Sequence, residues 1–444
     1  GITAICQPRN VAEIEQLFEK LTYFLEDREN IKYDKFIQYG FDVAYKMFAR
    51  PEDWVREGKY LSPLETYEDI KKATKMDKAS GAPFFTRKGF VFDECWKNFQ
   101  ENILTGKKAL PPATAYCRTR PENKTRLVFA QAVETIMLEG QFARPLIDYF
   151  TNHKNPMTIG FWSTKLGDWL SKSMTKRYVY TMDYSKYDMT ISRKFIIKAF
   201  NILGTWFSPE DKTRLRWDMM VKNFIYTGII MPDGYVYYGK KHGVPSGSYF
   251  TQMIDSVVNV AIIMALSAKF GLHVNANKVS CLGDDSIYCS YTWVSTYELA
   301  EYAEKNYRIV IHPDKSEVLD THICKVYHYL GKYWYLGVPH QKEEELHSRM
   351  ISPERRRHLR FDEDNYFESM RMIHTIIKAY CSTCDEGMKL AQLMRYHPFE
   401  HISYNRVVNQ KRALPGLLMF KLETEAQIEM ESSFRFGIFG MYAK

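Results

Sequence analysis

The stretch "KVSCLGDDSIYCS", residues 278–290, decides how this chain is read. Cys281 and Leu282 precede Gly283, and Ile287 and Tyr288 follow Ser286, so apolar, β-favouring residues flank two adjacent acids. Such flanks predict a buried hairpin with Gly283, Asp284 and Asp285 in its turn. Neighbouring carboxylates repel one another, and desolvating either is costly unless positive charge lies beside it. A divalent cation would relieve both penalties. A lone pair of aspartates in a turn is more often ordinary turn chemistry, so the metal reading needs partners elsewhere in the chain.

Those partners are present upstream. "KRYVYTMDYSKYDMTI", 176–191, opens as a strand in which Tyr178, Tyr180 and Met182 alternate with Val179 and Thr181; Asp183 stands where the apolar run stops, and Asp188 follows five residues on. "GIIMPDGYVYYG", 228–239, reads as a hairpin turning at Asp233-Gly234. "GVPSGSYFTQMIDSVVNVAIIMALSAKFG", 243–271, reads as a Gly/Pro loop feeding a long buried helix that stops near Gly271. Helical patterning covers Asn10–Phe24 and Val133–Phe150, with a mixed region between, and the chain from about 338 reads as mostly helical and basic. If the two acidic strands are neighbours, Asp183, Asp284 and Asp285 converge. Magnesium takes hard oxygen ligands and keeps waters and substrate phosphates in its shell. Two such ions roughly 3.5–4 Å apart can activate an attacking hydroxyl and stabilise a leaving pyrophosphate.

At this point the residues resemble the viral RNA-dependent RNA polymerases, whose ordered motifs are lettered A to G. Asp183-x4-Asp188 resembles motif A, Ser246-Gly247-x3-Thr251 motif B, and Gly283-Asp284-Asp285 motif C. "HPDKSE", with Lys315, is similar to motif D, and "YLGKYW", 329–334, to motif E. "RTRPENKTRLV", 118–128, resembles the basic motif F, and "SGAP", with Ser80, Gly81 and Pro83, the template-binding motif G. The likeness runs from about residue 78 to 337 and looks most like the partitivirus type of double-stranded RNA viruses, with picobirnaviruses next. It implies an α+β, right-hand polymerase fold with fingers, palm and thumb, the palm being a small antiparallel sheet backed by helices. The implied division is fingers over 1–135, palm over 136–195, a fingers insertion over 196–240, palm again over 241–337, and thumb with a tail over 338–444.

Each motif also has a physical rationale. Asp183 and Asp284 are the expected ligands of two Mg2+ ions, with Asp285 a weaker or outer ligand; the same oxygens would serve Mn2+. Asp188 is placed to accept a hydrogen bond from a ribose 2'-hydroxyl. Thr251 and Asp255 stand at i and i+4 and share a helix face. Ser246 and Gly247 are expected to give their loop freedom to follow a template nucleotide. The family commonly has Asn where this chain has Asp255, and an ionised Asp accepts hydrogen bonds without donating any. Either the ribose hydroxyl bridges Asp188 and Asp255 in another geometry, or one of the two keeps a proton at neutral pH.

Arg118, Arg120, Lys124 and Arg126 lie close together against the single acid Glu122, which suits an incoming triphosphate. Lys315 is the candidate general acid for the leaving pyrophosphate. "RMISPERRRHLR", 349–360, suits contacts to the backbone of product RNA in the thumb. Cys381-x2-Cys384-x12-His397-x3-His401 matches the spacing of a zinc finger. Pro398 directly after His397 and the helical pattern before Cys381 count against zinc, and two ordinary helices with buried thiols are expected there. The aromatic end "SSFRFGIFGMYAK", 432–444, is expected to pack on its own domain, or to enter the product channel and stack on a first nucleotide.

Bulk properties fit this picture without deciding it. The 444 residues are 45% hydrophobic and 15% aromatic, enough for a large core, and the net charge of +8 suits a polyanion-binding protein. Eight cysteines are too sparse for a disulfide scaffold, so reduced thiols are expected. The apolar run Val257–Ala268 is too short to span a bilayer, and no secretory signal is visible, although Gly1 in place of Met implies an upstream piece. The expected partners are RNA template and product, NTPs and a viral capsid protein, in the virion interior or the host cytoplasm. A reverse transcriptase is disfavoured by Asp188 and Gly283, and a zinc module rests only on 381–401. An inactive polymerase-like RNA-binding or assembly protein is the remaining alternative.

Overall fold

A computed structural model describes residues 14–120, 124–161 and 163–342, together with Glu386. The arginine-rich segment, the Cys/His spacing and the aromatic end lie outside these residues, as does the start of the helix expected from Asn10.

Helix α1 (Ile14–Leu25) leads into α2 (Lys35–Phe48), which begins where the Asp34 carboxylate accepts the Phe36 and Ile37 N–H groups at 3.0 and 2.9 Å. Three further helices, α3 (Glu52–Arg56), α4 (Tyr67–Ala73) and α5 (Lys88–Asn98), precede the hairpin of β1 (Ala113–Arg120) and β2 (Lys124–Ala130). Next come α6 (Val133–Asn152), α7 (Ser163–Ser173) and β3 (Tyr178–Met182). Helices α8 (Tyr187–Thr190), α9 (Arg193–Gly204) and α10 (Asp211–Tyr226) lead to the expected hairpin of β4 (Ile229–Ile230) and β5 (Val236–Tyr237). Helix α11 (Thr251–Phe270) ends at Gly271, whose φ of 64° closes the helix in the left-handed conformation. Then follow β6 (Ser280–Leu282), β7 (Asp285–Ser290), α12 (Thr296–Tyr307), β8 (Glu317–Asp320) and a meander of β9 (Val326–Tyr329), β10 (Lys332–Tyr335) and β11 (Val338–His340).

The chain is α+β. One sheet, in the order β6-β7-β3-β8, is antiparallel throughout, and helices back it. A second sheet, β2-β1-β4-β5, is roofed by α1, whose Leu17, Leu21 and Phe24 pack against Leu127, Phe129, Ile229 and Met231. The chain divides into two compact units, one made of 9–160 and 176–321 and the other containing 161–175 and the chain from 322. Residues 338–340 form a strand where a helix was expected: in "VPH" the backbone pairs with β10 through Tyr335↔Val338 and Trp334↔Pro339, and this pairing overrides local propensity.

Helix α11 is the centre of the first unit. By length and composition it could cross a bilayer, yet 83% of its apolar window is buried inside the protein, as expected for a core helix. It crosses α2 at Gly40, where a β-carbon would lie 2.0 Å from the Ala261 carbonyl oxygen. Gly40→Ala is therefore expected to destabilise the protein by about 2–3 kcal/mol, because backbone faces the intruding methyl and cannot swing aside. Thermal denaturation checks this; a variant that melts with the wild type would mean the two helices are not in contact there.

Candidate active site

Antiparallel pairing of β3 with β7 sets the register that builds the site. Met182 lies opposite Ser286, so Asp183, one residue beyond β3, and Asp285, the first residue of β7, meet at adjacent strand ends. Leu282 pairs with Asp285, leaving Gly283 and Asp284 as a two-residue turn. Asp285 therefore heads a strand instead of lying in the turn, because the ladder closes one residue earlier than the sequence pattern predicts. Gly283 sits at φ 68°, which glycine adopts freely.

Asp183, Asp284 and Asp285 are all exposed at this edge. Burial on its inner side, then Asp284 and Asp183, push the Asp285 carboxyl up to about 6. The Asp183 N–H donates to Ser316 Oγ at 2.9 Å, and its carbonyl accepts the His312 N–H at 2.7 Å. This ties the end of β3 to the turn that carries Lys315, which is exposed beside it. Among the described residues no three side chains form a ready-made metal cage. The donor chemistry nevertheless fits hard divalent ions: three carboxylates at an open edge whose mutual repulsion a cation would cancel, with room for water and phosphate oxygens.

Deeper in, Asp188 and Asp255 come together as the family resemblance implied. Their carboxyls share a hydrogen bond. Burial, followed by the charges of Asp188 and Asp284, raises the buried Asp255 well above the carboxylate range, so it holds the proton and donates. Asp188 is raised to about 6 by burial and by Asp284, with Arg126 pulling it down. These shifts favour the expectation that one of the two acids keeps a proton at neutral pH. The second Asp255 oxygen, Oδ1, is buried with no hydrogen-bond partner among the described residues.

Asp255→Asn would replace a titrating donor with a permanent one. At neutral pH the variant is expected to keep its preference for ribonucleotides over deoxyribonucleotides to within about threefold. In the wild type, rising pH removes the proton, two carboxylates face each other and the preference falls; in the variant this decline is expected to be absent. The ratio of kcat/KM for the two nucleotide types between pH 6 and 9 checks it, and identical profiles would refute the shared-proton account.

The basic hairpin is arranged by its register. Arg118 faces Arg126, and Arg120 faces Lys124, with Thr119 and Thr125 between, so strand alternation puts all four basic positions on one face. Like charges directly opposite are unfavourable unless an anion joins them. Arg126 acts on Asp188, which brings this hairpin to the site.

The loop before α11 seats on β2. A β-carbon on Gly247 would lie 1.8 Å from the Phe129 carbonyl oxygen. Glycine is required there for close approach, not for the loop freedom expected from the sequence. Ser246 Oγ lies 3.4 Å from both the Leu127 carbonyl and the Phe129 N–H. Thr251 Oγ1 donates to the Pro245 carbonyl at 2.8 Å and braces the loop, while Asp255 one turn on faces Asp188. Ser80 is buried, its Oγ accepting the Thr86 N–H at 3.1 Å, and Gly81 rests against the Ala130 carbonyl, one residue along β2 from the seat of Gly247; Pro83 is exposed.

Three supporting residues were not anticipated. Asn259 Nδ2 donates to the Gly283 and Asp284 carbonyls at 3.0 and 3.2 Å, and its Oδ1 accepts the Tyr184 hydroxyl at 2.9 Å. Ser256 Oγ accepts the Gly283 N–H at 2.9 Å. Glu139, fully buried on α6, accepts from Ser248 Oγ and the Tyr249 N–H at 2.8 and 2.9 Å, and burial raises it to about 7. The signal for the first two was visible: Ser256 and Asn259 are polar, three apart, and interrupt the apolar middle of the helix. The five cysteines among the described residues are not disulfide-bonded.

A carboxylate edge on a small antiparallel sheet lies beside the Asp188–Asp255 pair and the basic hairpin. The sequence profile of the viral RNA-dependent RNA polymerases matches residues 7–359, and the chain belongs to that family. It is 31% identical over 230 residues to the RNA-directed RNA polymerase of Cryptosporidium parvum virus 1, an alignment covering 48% of this chain and 41% of that protein. It is 23% identical over 266 residues to the RNA-directed RNA polymerase of White clover cryptic virus 1, covering 52% and 42%. The chain thus spans about two fifths of the length of these curated relatives. In three dimensions it matches the crystal structure of a human picobirnavirus RNA-dependent RNA polymerase with a TM-score of 0.65 at 16% identity, covering 96% of this chain and 85% of the other, which establishes the fold. The family uses divalent metal ions.

Proposed function

We propose that this chain is an RNA-dependent RNA polymerase that adds ribonucleotides from NTPs to a growing RNA 3' end under direction of an RNA template, replicating and transcribing a viral genome. The observation that carries the reading is the meeting of Asp183, Asp284 and Asp285 at paired strand ends, with the Asp188–Asp255 pair and Arg126 beside them. Asp183 and Asp284 would hold two Mg2+ ions, with Asp285 in support, and the ions would supply activation of the attacking hydroxyl and charge neutralisation at the phosphates. Arg118, Arg120, Lys124 and Arg126 receive the triphosphate. Asp188 accepts from the ribose 2'-hydroxyl. Lys315 delivers the proton that the leaving pyrophosphate needs, from a turn fastened to the Asp183 backbone. Ser80, Gly81, Pro83, Ser246 and Gly247 border the template path.

The fingers, palm and thumb divisions given above, a capsid protein as partner, and a virion-interior or host-cytoplasmic location complete the proposal. The test is template-dependent incorporation of labelled NTPs by the full chain with Mg2+, with Mn2+ and dNTPs in parallel. Ribonucleotide incorporation that requires template and a divalent ion upholds the reading. Tight RNA binding with no incorporation under either ion, on primed and unprimed templates, would favour the inactive RNA-binding alternative.

A further inference from the structure

The template-side hairpin carries an aromatic residue that the polymerase reading leaves unexplained. Segment 76–89 folds back on itself: the Gly89 N–H donates to the Met76 carbonyl at 3.0 Å, Lys88 to Lys78 at 2.8 Å, and Ser80 to Thr86 at 2.7 Å. Its tip docks on the second sheet. The Ala82 N–H donates to Thr114 Oγ1 at 3.1 Å, and Gly81 lies against the carbonyls of Ala130 and Gln131. Gly247 sits on the preceding residue of β2, Phe129, so the hairpin tip and the loop before α11 share one seat.

At that tip, Phe84 is half-buried and packs against the core, but Phe85 is 57% exposed. Its φ of 49° lies in the left-handed region, where a bulky residue is strained and glycine or asparagine is usual. The Phe85 N–H donates to the Gly81 carbonyl at 2.8 Å, which fixes the backbone of the tip. A bulky ring on a backbone held in a strained conformation and turned to solvent is an outlier of the kind that clusters at ligand-binding sites. Exposed Lys75 and Arg87 near the hairpin base supply positive charge of the kind that follows a phosphate backbone. An aromatic face beside basic groups, continuous with the template path, suits a nucleic-acid base.

We propose that the Phe85 ring stacks on an unpaired base of the incoming RNA template before that base reaches the carboxylate edge, and that it parts the template from any strand paired with it. This rests on the polymerase reading for the direction of template travel, while the stacking itself does not require catalysis.

The test uses the full chain as wild type, Phe85→Ala and Phe85→Trp, with an RNA template carrying 2-aminopurine ahead of the copied position. Extension is compared between the single-stranded template and the same template annealed to a complementary strand. Wild type and F85W are expected to quench the 2-aminopurine. F85A is expected to lose the quench and to slow extension about threefold on the single strand but about thirtyfold on the paired template, a tenfold change in ratio of the size that one lost stacking contact gives. Equal slowing on both templates, or a quench that survives in F85A, as it would if the chain itself covered the ring, overturns the proposal and leaves the polymerase reading standing. Quenching that depends on Phe85 in a wild type that incorporates nothing would uphold the stacking and overturn the polymerase reading.

Discussion

Asp284→Asn is expected to reduce nucleotide incorporation at least a thousandfold while leaving the metal-free protein as stable as the wild type or more so. The activity loss follows from removing a carboxylate that neutralises and positions a catalytic cation, an electrostatic contribution of several kcal/mol in a site of this kind. The stability effect runs the other way. Asp284 stands in the exposed turn and adds to the raised pKa values of Asp188, Asp255 and Asp285. A carboxyl raised in the folded state holds its proton more tightly folded than unfolded, so folding is penalised increasingly as pH rises through the ordinary carboxylate value and fully above the raised one. Asp188 and Asp285, raised to about 6, carry that penalty at pH 7.5, and it disappears as pH falls below the ordinary carboxylate range. Removing the Asp284 charge lessens it. By the same reasoning Mg2+ should raise the melting temperature of the wild type more at pH 7.5 than at pH 5, and should raise that of the variant less at either pH. Parallel activity and melting measurements check this; a variant that keeps a tenth of wild-type incorporation would remove Asp284 from the metal site.

Asn259→Leu is expected to lower stability by about 2–4 kcal/mol and incorporation by about a hundredfold. Leu matches Asn in size, so the effect isolates the hydrogen bonds. Without the amide, the Gly283 and Asp284 carbonyls lose their donor, and the Tyr184 hydroxyl loses its acceptor inside the protein. Each buried polar group left unpaired costs about 1–3 kcal/mol. The rate loss has a separate origin: Asn259 holds the turn that presents Asp284, and displacing a reacting group by about 1 Å can cost a hundredfold. Tyr184→Phe separates the two effects, since it removes only the hydroxyl and keeps both donations to the turn. Its expected loss is about 1 kcal/mol with incorporation within about threefold of wild type. Equal rate losses in both variants would show that the turn is positioned by something other than Asn259.

Much of the site was legible because its chemistry is local in sequence. Asp183 ends an alternating apolar strand, Gly283-Asp284 breaks another, and Gly271 stops a long apolar helix; each is a change of pattern at one position, with a single physical meaning. The family resemblance, carried by the order of the motifs, supplied the α+β architecture and the pairing of strands that periodicity alone cannot assign. Less was legible where a residue's role depends on what approaches it from far along the chain. Gly247 looked like a flexible loop glycine and is instead where two backbones touch. Residues 338–340 looked like the start of a helical region and form a strand because β10 offers its edge.

The sequence by itself determined which groups are the candidates for the chemistry, since charge, hydroxyl and hinge residues at short spacings are set by the covalent order of the chain. Only the tertiary structure decided their states and supports. Burial and two neighbouring carboxylates push the Asp255 carboxyl up, and Asn259 grips the Gly283-Asp284 turn because α11 passes beneath it. A pKa and a hydrogen-bond partner are properties of an environment, and that environment is assembled from segments that the sequence keeps far apart.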